Sequence, residues 1–153
     1  MSAHLVPQPN SNPALKNLAG LVGMWKTEMV FPADPSTKIA GHVSFERLEE
    51  GAFLLMRLPV EADSPSKSIW MIGRDDAVST YIVFYFDTRR VSRIYQMSFD
   101  DGVWRMWRES PGFSQRYTGA FSDDRNSITG QWEKSGDGLN WEHDFDLTYT
   151  KVG

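Results

Sequence analysis

The chain has 153 residues, with 16 Lys and Arg against 20 Asp and Glu, a net charge of −4, no cysteine and six tryptophans. An acidic balance lacks the basic footprint that neutralises phosphates, so nucleic acid is not an expected partner. The lack of cysteine excludes disulfides, zinc-thiolate sites and a thiol nucleophile.

Residues 1–12, "MSAHLVPQPNSN", are rich in Pro, Asn and Ser, with little to bury, and read as a mobile tail. They contain neither the basic nor the apolar region of a signal peptide. No stretch approaches the roughly 18 apolar residues of a membrane span, so a cytoplasmic location away from membranes is expected. Residues 13–153 are expected to form one domain, since a chain of this length buries roughly 68–70% of its unfolded surface around one core. Asn12 offers an N-cap and Pro13 suits the first position of a short helix, with Leu15, Leu18, Leu21 and Val22 on one face.

After Val22 no helical period persists. Runs rich in aromatic and β-branched residues alternate with turn sequences such as "PADPST", "RDDA", "DDG" and "SDDRNS". The pattern predicts ten strands, at 23–31, 38–49, 52–61, 67–74, 79–87, 90–99, 103–109, 113–122, 127–134 and 140–151. Short turns between successive strands imply an antiparallel up-and-down meander, and closing it into an all-β barrel removes the exposed edges.

A two-residue turn at Asp101-Gly102 sets Phe99 opposite Trp104, Met97 opposite Met106 and Tyr95 opposite Arg108, all on one face. That face is the more apolar and is read as inward, while Trp107 points outward. In the last strand, strict alternation carries Trp141, His143, Phe145, Leu147, Tyr149 and Lys151 inward. Ten strands enclose more than the side-chain-filled interior of eight. An inward Arg108 and His143 are costly unless paired, which points to a cavity dotted with polar groups. The candidate ligand contacts are Phe45, Trp70, Tyr85, Tyr95, Met97, Trp104, Met106, Arg108, Trp132 and His143. Three scattered histidines, His4, His42 and His143, supply no metal-ligand spacing.

The run Leu18-x-x-Leu21-x-Gly23-x-Trp25, "EGAFLL" in the third strand and the C-terminal "RYTGAFSDDRNSITGQWEKSGDGLNWEHDFDLTYTKV" resemble a large bacterial family of unknown function. That family has a lipocalin-like (calycin) β-barrel, and the resemblance spans residues 14–152. It implies a ten-stranded barrel of the lipocalin and fatty-acid-binding-protein kind. It also implies that Trp25 closes one end of the barrel under a cation from a late strand, here Lys151. A second Gly-x-Trp, Gly130-Gln131-Trp132, lies inside a late strand and is a different feature.

The first functional expectation is binding of a small, mostly apolar or amphipathic molecule inside the barrel, with no cofactor. The alternative is an enzyme that cyclises or isomerises a natural-product-like substrate, Tyr95 and Arg108 polarising a carbonyl and His143 acting as base. The resemblance adds a lesser alternative, haem held through His143. A homodimer formed through an outer barrel face near Trp107 is the interaction reading.

Overall fold

The computed structural model describes residues 13–74 and 80–152. The expected tail over 1–12 and the Asn12 cap lie outside them. A single helical turn, α1 (Pro13–Lys16), is followed by a 3-10 turn at Ala19–Leu21. Pro13 sits at the helix start, where its missing N–H has no intrahelical partner to lose. Gly23 then turns the chain into the first strand at φ +128°, a conformation that L side chains rarely adopt.

Ten strands follow: β1 (Gly23–Phe31), β2 (Asp34–Leu48), β3 (Phe53–Leu58), β4 (Ser68–Arg74), β5 (Tyr81–Asp87), β6 (Ser92–Asp100), β7 (Val103–Arg108), β8 (Ser114–Phe121), β9 (Ser127–Ser135) and β10 (Glu142–Lys151). Each pairs antiparallel with its predecessor, and β1 also pairs with β10, from Trp25 opposite Lys151 to Val30 opposite Asp146. The sheet is thus a closed barrel without a free edge.

Two boundaries differ from the sequence pattern by more than two residues. β2 begins at Asp34, because Asp34 pairs with Phe31 of β1 ahead of a register shift, even though its side chain is exposed. β3 stops at Leu58, before Pro59, which has no N–H to give the ladder. At the β6–β7 turn Asp101 and Gly102 have φ of 53° and 74°, the left-handed pair that a tight hairpin requires. Phe99 accordingly faces Trp104 and Met97 faces Met106.

The last strand corrects the expected alternation. His143 pairs with Glu133 and Phe145 with Trp132, so Asp144 is an extra residue, a β-bulge, in the β10 ladder. The bulge reverses the phase: Phe145, Leu147 and Tyr149 keep the inward face, but Trp141 and His143 lie on the outer one. His143 is exposed there, its Nε2 2.8 Å from Asp146 Oδ1. Trp141 sits under the Arg116 guanidinium, 4.0 Å from the ring centroid.

The barrel is filled unevenly along its axis. At one end Leu15, Leu18 and Leu21 are buried against Trp25, whose Nε1 donates to the Leu21 carbonyl at 2.8 Å. The Lys151 ammonium lies 5.4 Å from the centre of the Trp25 ring, and the Tyr81 hydroxyl donates to the Ala14 carbonyl at 2.7 Å. Apolar burial and these bonds fasten the N-terminal segment across that end. The middle is packed by Phe45, Trp104, Tyr117 and Tyr149, with Trp104 5.2 Å from Tyr117 and 5.5 Å from Tyr149 by ring centroids. Space is left at the opposite end.

Candidate functional site

That end holds a cavity of about 370 Å³. Its depth is apolar, with Met56, Trp70, Tyr95, Met106, Trp132, Phe145, Leu147 and Tyr149 on the walls. The inward phase of six strands delivers these side chains, because residues two apart on a strand share a face. Trp70 is the hub of the aromatic wall: its ring centroid is 4.5 Å from Tyr85, 5.4 Å from Tyr95 and 6.2 Å from Trp132. Edge and tilted geometries of this kind suit the ring quadrupoles.

The mouth is polar. Leu58 ends β3 and Pro59 follows it, Ser66, Lys67 and Ser68 lead into β4, Asp87 and Arg89 flank the β5–β6 turn, and Arg93 and Gln115 stand near the starts of β6 and β8. Trp70 Nε1 donates to Ser68 Oγ at 2.9 Å, and that hydroxyl donates to the Leu58 carbonyl at 3.0 Å. The Tyr95 hydroxyl donates to Gln115 Oε1 at 2.6 Å, and Arg93 Nη1 reaches the same oxygen at 3.3 Å. Asp87 Oδ2 accepts from the Tyr85 hydroxyl at 2.5 Å and from Arg89 Nη2 at 2.6 Å.

These bonds set the protonation states. Arg89, and then the Tyr85 hydroxyl, hold the Asp87 carboxyl well below the usual carboxylate range. Burial, helped by the neighbouring carboxylate, pushes the Tyr85 phenol up to about 12. Burial also raises the Tyr95 phenol, against the opposing pull of Arg93. At neutral pH both tyrosines are neutral donors and Asp87 is an anion already committed to Arg89 and Tyr85.

Of the candidate contacts, Trp70, Tyr85, Tyr95, Met106 and Trp132 line this cavity. Phe45, Met97 and Trp104 are buried in the packed middle and do not line it. Trp104 Nε1 is buried there without a hydrogen-bond partner. Arg108 does not line the cavity: at the last position of β7 it donates to the Phe113 carbonyl at 3.4 Å and borders an outer groove with Phe84, Ile94, Trp107 and Arg93, of which Arg93 alone also lines the cavity. His143 is excluded by the bulge. Tyr95, Arg108 and His143 therefore do not converge on a common point, and the catalytic arrangement read from the sequence is not assembled.

The same geometry bears on haem. No described histidine lines the cavity: His143 lies outside the barrel and His42 Nδ1 is engaged by Glu61 at 2.7 Å, while His4 is outside the described residues. Histidine ligation of haem inside the cavity does not fit the residues present. Among the described residues there is also no cluster of His, Asp and Glu suited to a metal ion, and no helix long and apolar enough to cross a membrane.

The residues that sequence reasoning missed are those of the mouth. Arg93 shares the inward phase of Tyr95 and Met97, and Gln115 shares that of Tyr117, so carrying the alternation one step further within the expected strands 90–99 and 113–122 would have found both. Lys67, Asp87 and Arg89 border turns, where no periodicity marks them.

Fold and site together define a closed ten-stranded antiparallel barrel, stoppered at one end and hollow at the other. The crystal structure of Rv2717c from M. tuberculosis is similar, with a TM-score of 0.62 and 13% sequence identity over 94% of this chain and 100% of that one. At that identity the likeness is one of fold. No protein-family model and no curated protein matches the chain.

Proposed function

We propose that this chain is a calycin-like binding protein whose single domain, residues 13–153, holds one small, mostly apolar molecule in the barrel cavity. The observation that carries the reading is the unfilled end. Trp70, Tyr95 and Trp132 pack against one another, with ring centroids 5.4, 6.2 and 5.8 Å apart, and still leave beside them a space of about 370 Å³. Mostly apolar cavities of roughly 300–1,000 Å³ with a few placed polar groups are the usual form of small-molecule sites. Catalysis has weaker support, because no described histidine lines the cavity and the carboxylate beside Tyr85, that of Asp87, is already committed to Arg89.

N-phenyl-1-naphthylamine, a neutral fluorophore that brightens in apolar surroundings, tests the proposal. Saturable one-to-one binding with energy transfer from tryptophan is expected. Met29→Trp, which projects extra bulk into the cavity from β1, should weaken it by roughly tenfold or more. Absence of saturable binding, or equal binding by a folded Met29→Trp variant, overturns the reading.

A further inference from the structure

We infer that the molecule held in this cavity is an amphipathic anion, its apolar body among the tryptophans and its terminal oxyanion at Arg93 and Lys67. The inference rests on the binding function proposed above and names the ligand class. It starts from a charge imbalance. Four charged residues line the cavity: Lys67, Asp87, Arg89 and Arg93. Arg89 and Asp87 neutralise each other through Nη2 at 2.6 Å and Nε at 3.1 Å from Oδ2. That leaves Lys67 and Arg93 with no carboxylate at ion-pair distance among the described residues. Two cations without a carboxylate partner thus border this cavity, each at its rim and also beside an outer groove, in a chain whose net charge is −4.

The other polar groups at the mouth are already occupied. Asp87 accepts from Tyr85, from the Arg89 side chain and from the Arg89 backbone N–H at 2.8 Å, so it is neither free to neutralise Arg93 nor available as an acceptor for a cationic ligand. Ser68 accepts from Trp70 and donates to Leu58. Arg93, by contrast, is held but not saturated. Its guanidinium lies 5.3 Å from the centroid of the Phe113 ring, and Nη1 makes a 3.3 Å bond to the neutral Gln115. The same Gln115 oxygen is fixed by Tyr95. A guanidinium has five N–H donors in a planar fork that matches an oxyanion, and most of Arg93's remain unused. Below it the wall turns apolar at Trp70, Trp132 and Met106. A cationic ligand would meet two like charges, and a neutral one would leave both unmatched.

A matched pair of probes separates this inference from the binding function itself. 8-Anilinonaphthalene-1-sulfonate has the ring system of N-phenyl-1-naphthylamine plus one sulfonate. The sulfonate is expected to bind about tenfold more tightly than the neutral probe. Its affinity should fall as salt rises from about 0.02 to 0.5 M, while that of the neutral probe holds. The Arg93→Gln/Lys67→Gln variant should abolish the preference, bringing the affinities of the two probes to within about twofold of each other. If the neutral probe binds and the sulfonate binds no better, or the variant weakens both alike, the anion assignment is overturned and the binding cavity stands. If neither binds, both are overturned. The salt series on the unmodified protein decides the question even where the double variant does not fold.

Discussion

Tyr117 lies across two glycines that face each other in the β8–β9 ladder, Gly119 and Gly130. A Cβ on Gly119 would come within 2.6 Å of the Tyr117 hydroxyl and 2.9 Å of Ile128, and one on Gly130 would overlap the same phenol. The notch explains the second Gly-x-Trp of the chain: Gly130 makes room for Tyr117, and Trp132, two residues on along the same face, lines the cavity. Gly130→Ala is therefore expected to destabilise the fold by about 1–3 kcal/mol through overpacking. In urea unfolding, Tyr117→Leu should relieve part of that loss in the double variant. Additive losses would show that the notch is not what Gly130 provides.

Among the elements, the β6–β7 hairpin and β10 show what was legible in the sequence. Asp101-Gly102 admits one tight turn, and the turn fixes the register, so the inward positions of Tyr95, Met97, Trp104 and Met106 followed from residue types alone. The β10 bulge had no such mark: Asp144 is an ordinary polar residue in a polar stretch, and only its pairing with β9 reveals that it is one too many. The aromatic wall was thus largely legible, whereas the cation-bearing rim was not, because turn residues carry no period. α1 and the 3-10 turn make the other testable element. Leu18 is fully buried in the end that they cover. Leu18→Ala is expected to lower stability by about 2–5 kcal/mol. A loss below about 1 kcal/mol in chemical denaturation would mean that the segment lies on the barrel without supporting it.

For the whole molecule, closure of the sheet draws aromatic hydroxyls into one interior, and burial raises the phenols of Tyr85, Tyr95, Tyr117 and Tyr149 together. An unfolded tyrosine ionises near about 10. Where the folded value is higher, the native state keeps its proton while the unfolded state loses it. The stabilisation is then complete below about pH 10 and is lost as pH rises toward the folded values, about 12 for Tyr85. Urea midpoints are expected to be level up to about pH 9.5 and to fall steeply by about pH 11.5, with tyrosinate absorbance appearing as the protein unfolds. Full tyrosinate absorbance from a folded protein near pH 10.5 would contradict this account.

Among the described residues, a barrel stoppered by its own N-terminal segment opens at its other end alone. A guest held there as proposed would leave by the route it entered, past the Pro59 and Ser66–Ser68 segment that borders the mouth. Narrowing or loosening that doorway without touching the guest changes arrival and departure rates by the same factor and leaves the affinity unaltered. Residence time thus depends on the doorway as well as on affinity, while affinity depends only on the groups that touch the guest, the rim cations Arg93 and Lys67 as well as the walls.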